Sequence, residues 1–188
     1  AEFEAATLDH QAGRLSDAER VYSNILAIKK DHKGALLHLG LIKHQMGQDL
    51  LAVDLIGQAI KASPKYAEAH YNLGTIQNSL GNLRMAAKSL RQAAIINKKH
   101  VGAIYNLAGV QSLLGEHDKA ERNYKTAAKL APNTPGIHIN LAILLRNQKK
   151  LEEAQKKAEE NRKELFNSYI TDGKKNWEKN KSHFKGSY

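Results

Sequence analysis

The chain has 188 residues, a formal net charge of +10, 41% hydrophobic and 26% charged residues, and no cysteine. That is enough chain to bury a core, and the composition excludes collagen-like, elastic and low-complexity chains. The absence of cysteine excludes a disulfide framework, a thiolate metal site and a cysteine nucleophile; there is no run of about 18 apolar residues to span a membrane, and the acidic start Ala1-Glu2-Phe3-Glu4 is not a signal peptide.

Leucine, isoleucine and alanine recur at helical spacing and predict helices over 2–12, 16–29, 34–46, 49–61, 67–80, 83–96, 101–114, 118–130, 135–148 and 151–168. Ser16 with Glu19 reads as a capping box for the second helix. Gly13, Gly47, Gly81 and Gly115 sit where a helix must stop and reverse, a left-handed position that glycine takes without a Cβ penalty. Pro64 and Pro132 follow second helices and cannot continue them. Thr134-Pro135 reads as an N-cap and first helical residue. From 151 to about 170, Leu151, Ala154, Ala158, Leu165 and Tyr169 mark one long helix whose later turns cap the array, ended by Asp172-Gly173. Beyond it lie Lys174, Lys175, Lys179, Lys181 and Lys185 with Trp177 and Phe184, a solvated tail rather than a basic arm for acidic partners. No strand pattern appears, and the short connections force antiparallel helix neighbours.

The helices obey a 34-residue period. Leu39, Leu73, Leu107 and Leu141 share one column, and the next holds Gly40, Gly74, Ala108 and Ala142. A third holds Ala18, Ala52, Ala86, Ala120 and Ala154; a fourth holds Tyr22, Ile56, Leu90, Tyr124 and Ala158. Small residues let antiparallel helices approach, and the leucine and Tyr/Ile/Leu columns fill the space between. Lys149 breaks the turn-glycine column, and Asn161 replaces a small residue, so the last repeat reads as a terminal unit with weakened contacts.

At these columns the chain resembles the tetratricopeptide repeat family. Ala69-His70-Tyr71-Asn72-Leu73-Gly74 and Ala103-Ile104-Tyr105-Asn106-Leu107-Ala108 carry the first-helix signature, and Ala120, Tyr124 and Pro132 the second. The resemblance covers residues 1–160, in repeats of about 1–32, 33–66, 67–100, 101–134 and 135–160, and leaves 161–188 as the end of the capping helix and the tail. It implies an all-α, right-handed α-solenoid of about five helix pairs with a C-terminal capping helix, in which first helices line a concave groove. The implied partner is a protein or peptide.

On first helices, Asn72, Asn106 and Asn140 precede the core leucines, with His38 in the same column. An amide offers both donor and acceptor, so this row can pair with the main chain of an extended peptide. The ladder is similar to that of the repeat domain of O-linked N-acetylglucosamine transferases, but asparagine is also common here as plain repeat consensus that supports helix packing. Candidate groove neighbours are Leu37, Tyr71, Tyr105 and Ile139 in one column and His44, Asn78 and Arg146 in another. The groove is nearly neutral, since 101–114 contains no Lys, Arg, Asp or Glu, while Arg84, Lys88, Arg91, Lys119 and Arg122 lie on second helices. Leu37, Tyr71, Tyr105 and Ile139 stand where relatives that grip a C-terminal carboxylate carry lysine, which argues against that specificity.

No catalytic, cofactor or metal motif is present. His38 and His44 are six residues apart, and His70 and His138 lie two repeats apart, so neither pair is spaced to ligate one ion. Lysines alternate with acids, as in Asp118-Lys119-Ala120-Glu121-Arg122, which argues against nucleic acid despite the net charge. The expected function is a non-enzymatic, cytoplasmic interaction scaffold binding an extended peptide. The alternative is a substrate-recruiting domain of a larger bacterial-type glycosyltransferase or similar enzyme whose catalytic domain is absent here, which the start inside a shortened first helix would fit. Self-association through open solenoid ends is a third expectation.

Overall fold

A computed structural model describes residues 2–185, with side-chain surroundings given through 175 and at 177. The helices among the described residues are α1 (Glu2–Gln11), α2 (Leu15–Ile28), α3 (Lys33–Gln45), α4 (Asp49–Ala62), α5 (Ala67–Ser79), α6 (Leu83–Ile96), α7 (Val101–Leu113), α8 (His117–Leu130) and α9 (Pro135–Lys185). The chain divides into two units, Ala1–Leu144 and Leu145–Tyr188.

In the first unit the helices pack as antiparallel pairs, α1 with α2 through α7 with α8, and α2, α4 and α6 each also pack on the next first helix. First helices touch one another across a repeat, as α1 with α3, α3 with α5 and α5 with α7, whereas second helices do not. That asymmetry sets the first helices on the inner side of the bend.

The turns close as the glycine column predicts. Gly13, Gly47, Gly81 and Gly115 have φ of +75° to +77°. In each case the glycine N–H and the next N–H reach back to helix carbonyls, as Gly47 N to His44 O at 2.9 Å and Gln48 N to Lys43 O at 2.8 Å, the Schellman pattern. Close helix approach falls where the small column placed it: a Cβ built on Gly74 would lie 2.6 Å from Leu90 Cγ, and one on Gly40 2.7 Å from Ile56 Cγ1. Ala18, Ala52, Ala86 and Ala120 are fully buried beneath those contacts.

One local expectation is corrected. The α2 helix starts at Leu15 directly after the Gly13 turn, so Ser16 lies inside it, and its N-cap, Arg14, makes no side-chain cap bond. Among the described residues, the N-caps with side-chain bonds are His32 and His100, whose Nδ1 atoms accept from Ala35 N at 3.0 Å and Ala103 N at 3.1 Å.

The larger correction concerns the fifth repeat. Pro135 does open a helix, but residues 135–148 and 151–168 are not an antiparallel pair; both belong to α9, which is continuous past Asp172-Gly173 to Lys185. At 149 a lysine stands in the column whose glycines take positive φ, where a side chain is strained. The helix therefore runs on, and Gly173, with no proline after it, is too weak a signal to stop it.

The second unit, taken by itself, is the α9 helix from Leu145 onward. Every residue from 149 to 175 is exposed, including Leu151, Ala154, Ala158, Leu165 and Tyr169. Ion pairs Lys149–Glu153 and Lys163–Glu159 at i, i+4 spacing stabilise it by a few tenths of a kcal/mol each, on the order of 0.2–0.5 kcal/mol. Lys179, Lys181, Phe184 and Lys185 of the expected tail fall within helix α9, and their side chains lie outside the described residues.

Candidate interaction surface

The column ahead of each core leucine holds His38, Asn72, Asn106 and Asn140, all half-buried. Their positions follow from the repeat: the leucine turns into the core, so the preceding residue points about 100° around the helix, toward the neighbouring first helix. Asn106 donates through Nδ2 to the Thr75 hydroxyl of the preceding first helix at 3.3 Å, and Asn140 to the Tyr105 hydroxyl at 2.6 Å. Asn72 instead bonds within α5, to the Glu68 carbonyl at 2.9 Å and carboxylate at 3.2 Å. The amide nitrogens thus have scaffold partners. Among the described residues, the Oδ1 oxygens accept no hydrogen bond.

Aromatic side chains flank this row. Tyr71 packs against the His100 ring at 4.6 Å, and His100 Nε2 lies 3.4 Å from Glu68. Tyr105 meets Tyr124 edge-on at 5.8 Å. Burial raises the Tyr124 hydroxyl pKa, with Tyr105 adding to the rise and the Asn140 amide opposing it. At the N-terminal end His38 sits among Phe3, His10 and Tyr22, stacked on Tyr22 at 5.5 Å. Its Nδ1 is buried without a hydrogen bond. Burial lowers its pKa, His10 lowers it further, and Glu68 works the other way. A pocket of about 330 Å³ between α1 and α3 is lined by Thr7, His10, Gln11, His38, Leu41 and Gln45.

The remaining candidates are scattered. Leu37 is 1% exposed and belongs to the core with Ile56 and Ile76, so it offers no groove surface. His44 pairs through Nδ1 with Asp49 and closes the α3–α4 turn. Asn78 is exposed near the end of α5, and Ile139 is exposed at the start of α9. Arg146 is exposed and belongs to the second unit.

Some polar features were not foreseen. Ser89 donates to Gln77 at 2.8 Å, and one repeat later Asn123 donates to Gln111 at 2.6 Å, each bond buried or half-buried between a first helix and its second. Their 34-residue spacing was the available signal. His70 and His138 bond through Nε2 to the carbonyls of Pro64 and Pro132, which gives that column a turn-bracing role. A second concavity of about 570 Å³ lies between α4, α5 and α6 over Ile60, Leu73 and Met85, beside Gly57. Among the described residues no three His, Asp or Glu side chains are grouped to hold a metal ion, and no helix is long and apolar enough to cross a membrane.

The Tetratricopeptide repeat family model matches residues 47–100 and 114–173. No curated protein matches the sequence. Among solved structures, the chain is similar to MamA at 24% identity, TM-score 0.71, over 80% of this chain and 88% of that one. It is similar to PilF of Pseudomonas aeruginosa at 18% identity, TM-score 0.74, over 80% of this chain and 68% of that one. It is also similar to YrrB, described as a TPR protein with an unusual peptide-binding site, at 18% identity, TM-score 0.69, over 79% and 76%. At these identities the likeness is one of fold. The family match, the 34-residue columns and the paired helices agree: this chain belongs to the tetratricopeptide repeat family, a helical-repeat scaffold for protein interaction.

Proposed function

We propose that the scaffold binds an extended peptide along its first helices, with Asn72, Asn106 and Asn140 accepting main-chain N–H groups. The observation that carries this reading is that the scaffold holds each amide through its nitrogen and leaves the Oδ1 oxygen without a hydrogen bond among the described residues. A pre-oriented acceptor loses little entropy when a ligand donates to it. Each such bond contributes about 0.5–1.5 kcal/mol, so three bonds with aromatic contacts at Tyr71 and Tyr105 correspond to roughly micromolar affinity. The surface carries little charge beyond Glu68, which suits recognition of the backbone rather than of an acidic or basic motif. The peptide-binding description of YrrB supports the same class of ligand.

A display library of extended peptides, selected against the chain and re-measured by calorimetry with Asn72→Ala, tests the reading. Selected peptides that bind the variant as well as the parent would refute it. A second reading, recruitment of substrate polypeptides to a larger enzyme, is favoured by the similarity of the amide column to that of O-linked N-acetylglucosamine transferases. Sequencing the whole reading frame separates the two: a catalytic domain joined to this chain selects the second.

A further inference from the structure

Away from the amide row, the concavity of about 570 Å³ between α4, α5 and α6 has a cause in the sequence. Gly57 stands in the column that holds Ser23 one repeat earlier and Arg91 and Lys125 in the two later ones. It lies inside α4, and a Cβ built on it meets nothing within 4 Å, so the space that a side chain could take is open. The floor differs too. In the core-leucine column Leu39 and Leu107 are 8% and 4% exposed, whereas Leu73 is left half-buried in the cavity wall beside Ile60, and Met85 at its edge is exposed. Gln77 is 4% exposed and lines the same cavity. Its Oε1 accepts from Ser89, but its Nε2 makes no hydrogen bond among the described residues. One repeat later that nitrogen is used, since Gln111 Nε2 donates to the Glu116 carboxylate at 3.5 Å. Asn82 stands in the Glu116 column and brings no carboxylate. A buried donor left without an acceptor is costly, and here the acceptor that the repeat uses elsewhere is a carboxylate oxygen.

We propose that this concavity is a docking site, separate from the first-helix face, for a segment of a partner protein that presents a glutamate or aspartate flanked by apolar side chains. The apolar side chains cover Ile60, Leu73 and Met85, and the carboxylate accepts from Gln77 Nε2. Charge complementarity selects this occupant. Lys61 of α4 and Lys88 of α6 line the cavity, are exposed, and have no acidic partner among the described residues. No acid among the described residues lines it, and Asp54, one turn before Gly57, is bonded to Gln58. Two cations and one buried donor around an apolar floor are satisfied together by a carboxylate with apolar neighbours. The flexible thioether of Met85 adapts to side chains of different shape. The site shares no residue with the amide ladder and does not depend on it.

Two libraries of displayed short peptides test it, alike except that one fixes glutamate and the other glutamine at the centre of an apolar stretch. Binders are expected from the glutamate library selected against the full chain. Re-measured by calorimetry, they should bind about tenfold or more weakly to Gly57→Arg and to Lys61→Glu/Lys88→Glu, and equally well to Asn72→Ala. Gly57→Arg installs the residue of the later repeat where a Cβ has room, so the fold is retained. It also adds a positive charge, so a peptide held by charge alone would bind this variant more tightly than the parent. No binder from the glutamate library, binders of equal affinity from the glutamine library, or binders that keep their affinity for Gly57→Arg would each overturn the proposal. Saturable binding of decanoate, lost in Gly57→Arg while no peptide is selected, would assign the cavity to a small amphipathic carboxylate and overturn the protein partner.

Discussion

Replacing Gly74 by alanine puts a methyl group where the α5–α6 contact has no room. The new Cβ would lie 2.6 Å from Leu90 Cγ, 3.0 Å from Leu90 N and 3.1 Å from Ala86 O. Two of those atoms are backbone, so rotating the leucine does not relieve the contact and α6 must move away. Overpacking of this kind costs about 1–3 kcal/mol. The gain in helix propensity returns about 1 kcal/mol, leaving a net loss of up to about 2 kcal/mol. Gly57 supplies the control: it lies inside α4, and a Cβ there meets nothing within 4 Å. Gly57→Ala therefore stabilises by propensity alone, by up to about 1 kcal/mol. Urea unfolding followed by circular dichroism should move the two midpoints in opposite directions, separated by roughly 0.5–1.5 M for a slope of about 2 kcal/mol/M. Equal stabilisation in both variants would show that the helices are not in close contact at Gly74.

Two further outcomes follow from the site geometry. Asn140→Ala removes a half-buried bond to the Tyr105 hydroxyl and should cost about 0.5–1.5 kcal/mol; Asn72→Ala, whose bonds stay within its own helix, should stay within about 0.5 kcal/mol, both read from urea midpoints. For His38, burial and His10 hold the imidazole pKa below the ordinary 6.5. The unfolded chain then binds the proton more readily, so this residue's contribution to stability is complete above pH 6.5 and falls as pH drops through that value toward the folded-state pKa. His38→Asn, which installs the residue found one repeat later, should reduce the loss of stability between pH 7.5 and pH 5.5, and an unchanged loss would count against the burial of the ring.

The repeat architecture was legible because its signals are local and recur. A glycine at each turn and a small residue at each close approach are required by sterics, and four copies of each stand in register. The end of the array was less legible. The loss of glycine at Lys149 was visible, but a lysine there fits either a weaker turn or no turn, and only the three-dimensional outcome separates them. The capping box at Ser16 was misplaced because the Gly13 turn delivers the chain into helix one residue earlier, at Leu15. Among site residues, the asparagine column kept its register across the first helices. Leu37 did not behave like Tyr71 and Tyr105: an aliphatic side chain gains by turning wholly into the core, whereas the Tyr105 hydroxyl must stay near a polar partner and finds Asn140. The histidine caps at 32 and 100 were missed because capping is usually sought in Ser, Thr, Asp and Asn.

The central claim is that fixed amide oxygens on the first helices accept hydrogen bonds from a peptide backbone. Calorimetric titration of a selected peptide against the parent chain and Asn72→Ala tests it most directly, with urea midpoints measured in parallel. The account predicts affinity weakened about 3- to 10-fold at an unchanged midpoint, as loss of one hydrogen bond requires, and binding abolished when the peptide's backbone nitrogens are methylated. Unchanged affinity for both the variant and the methylated peptide would contradict it.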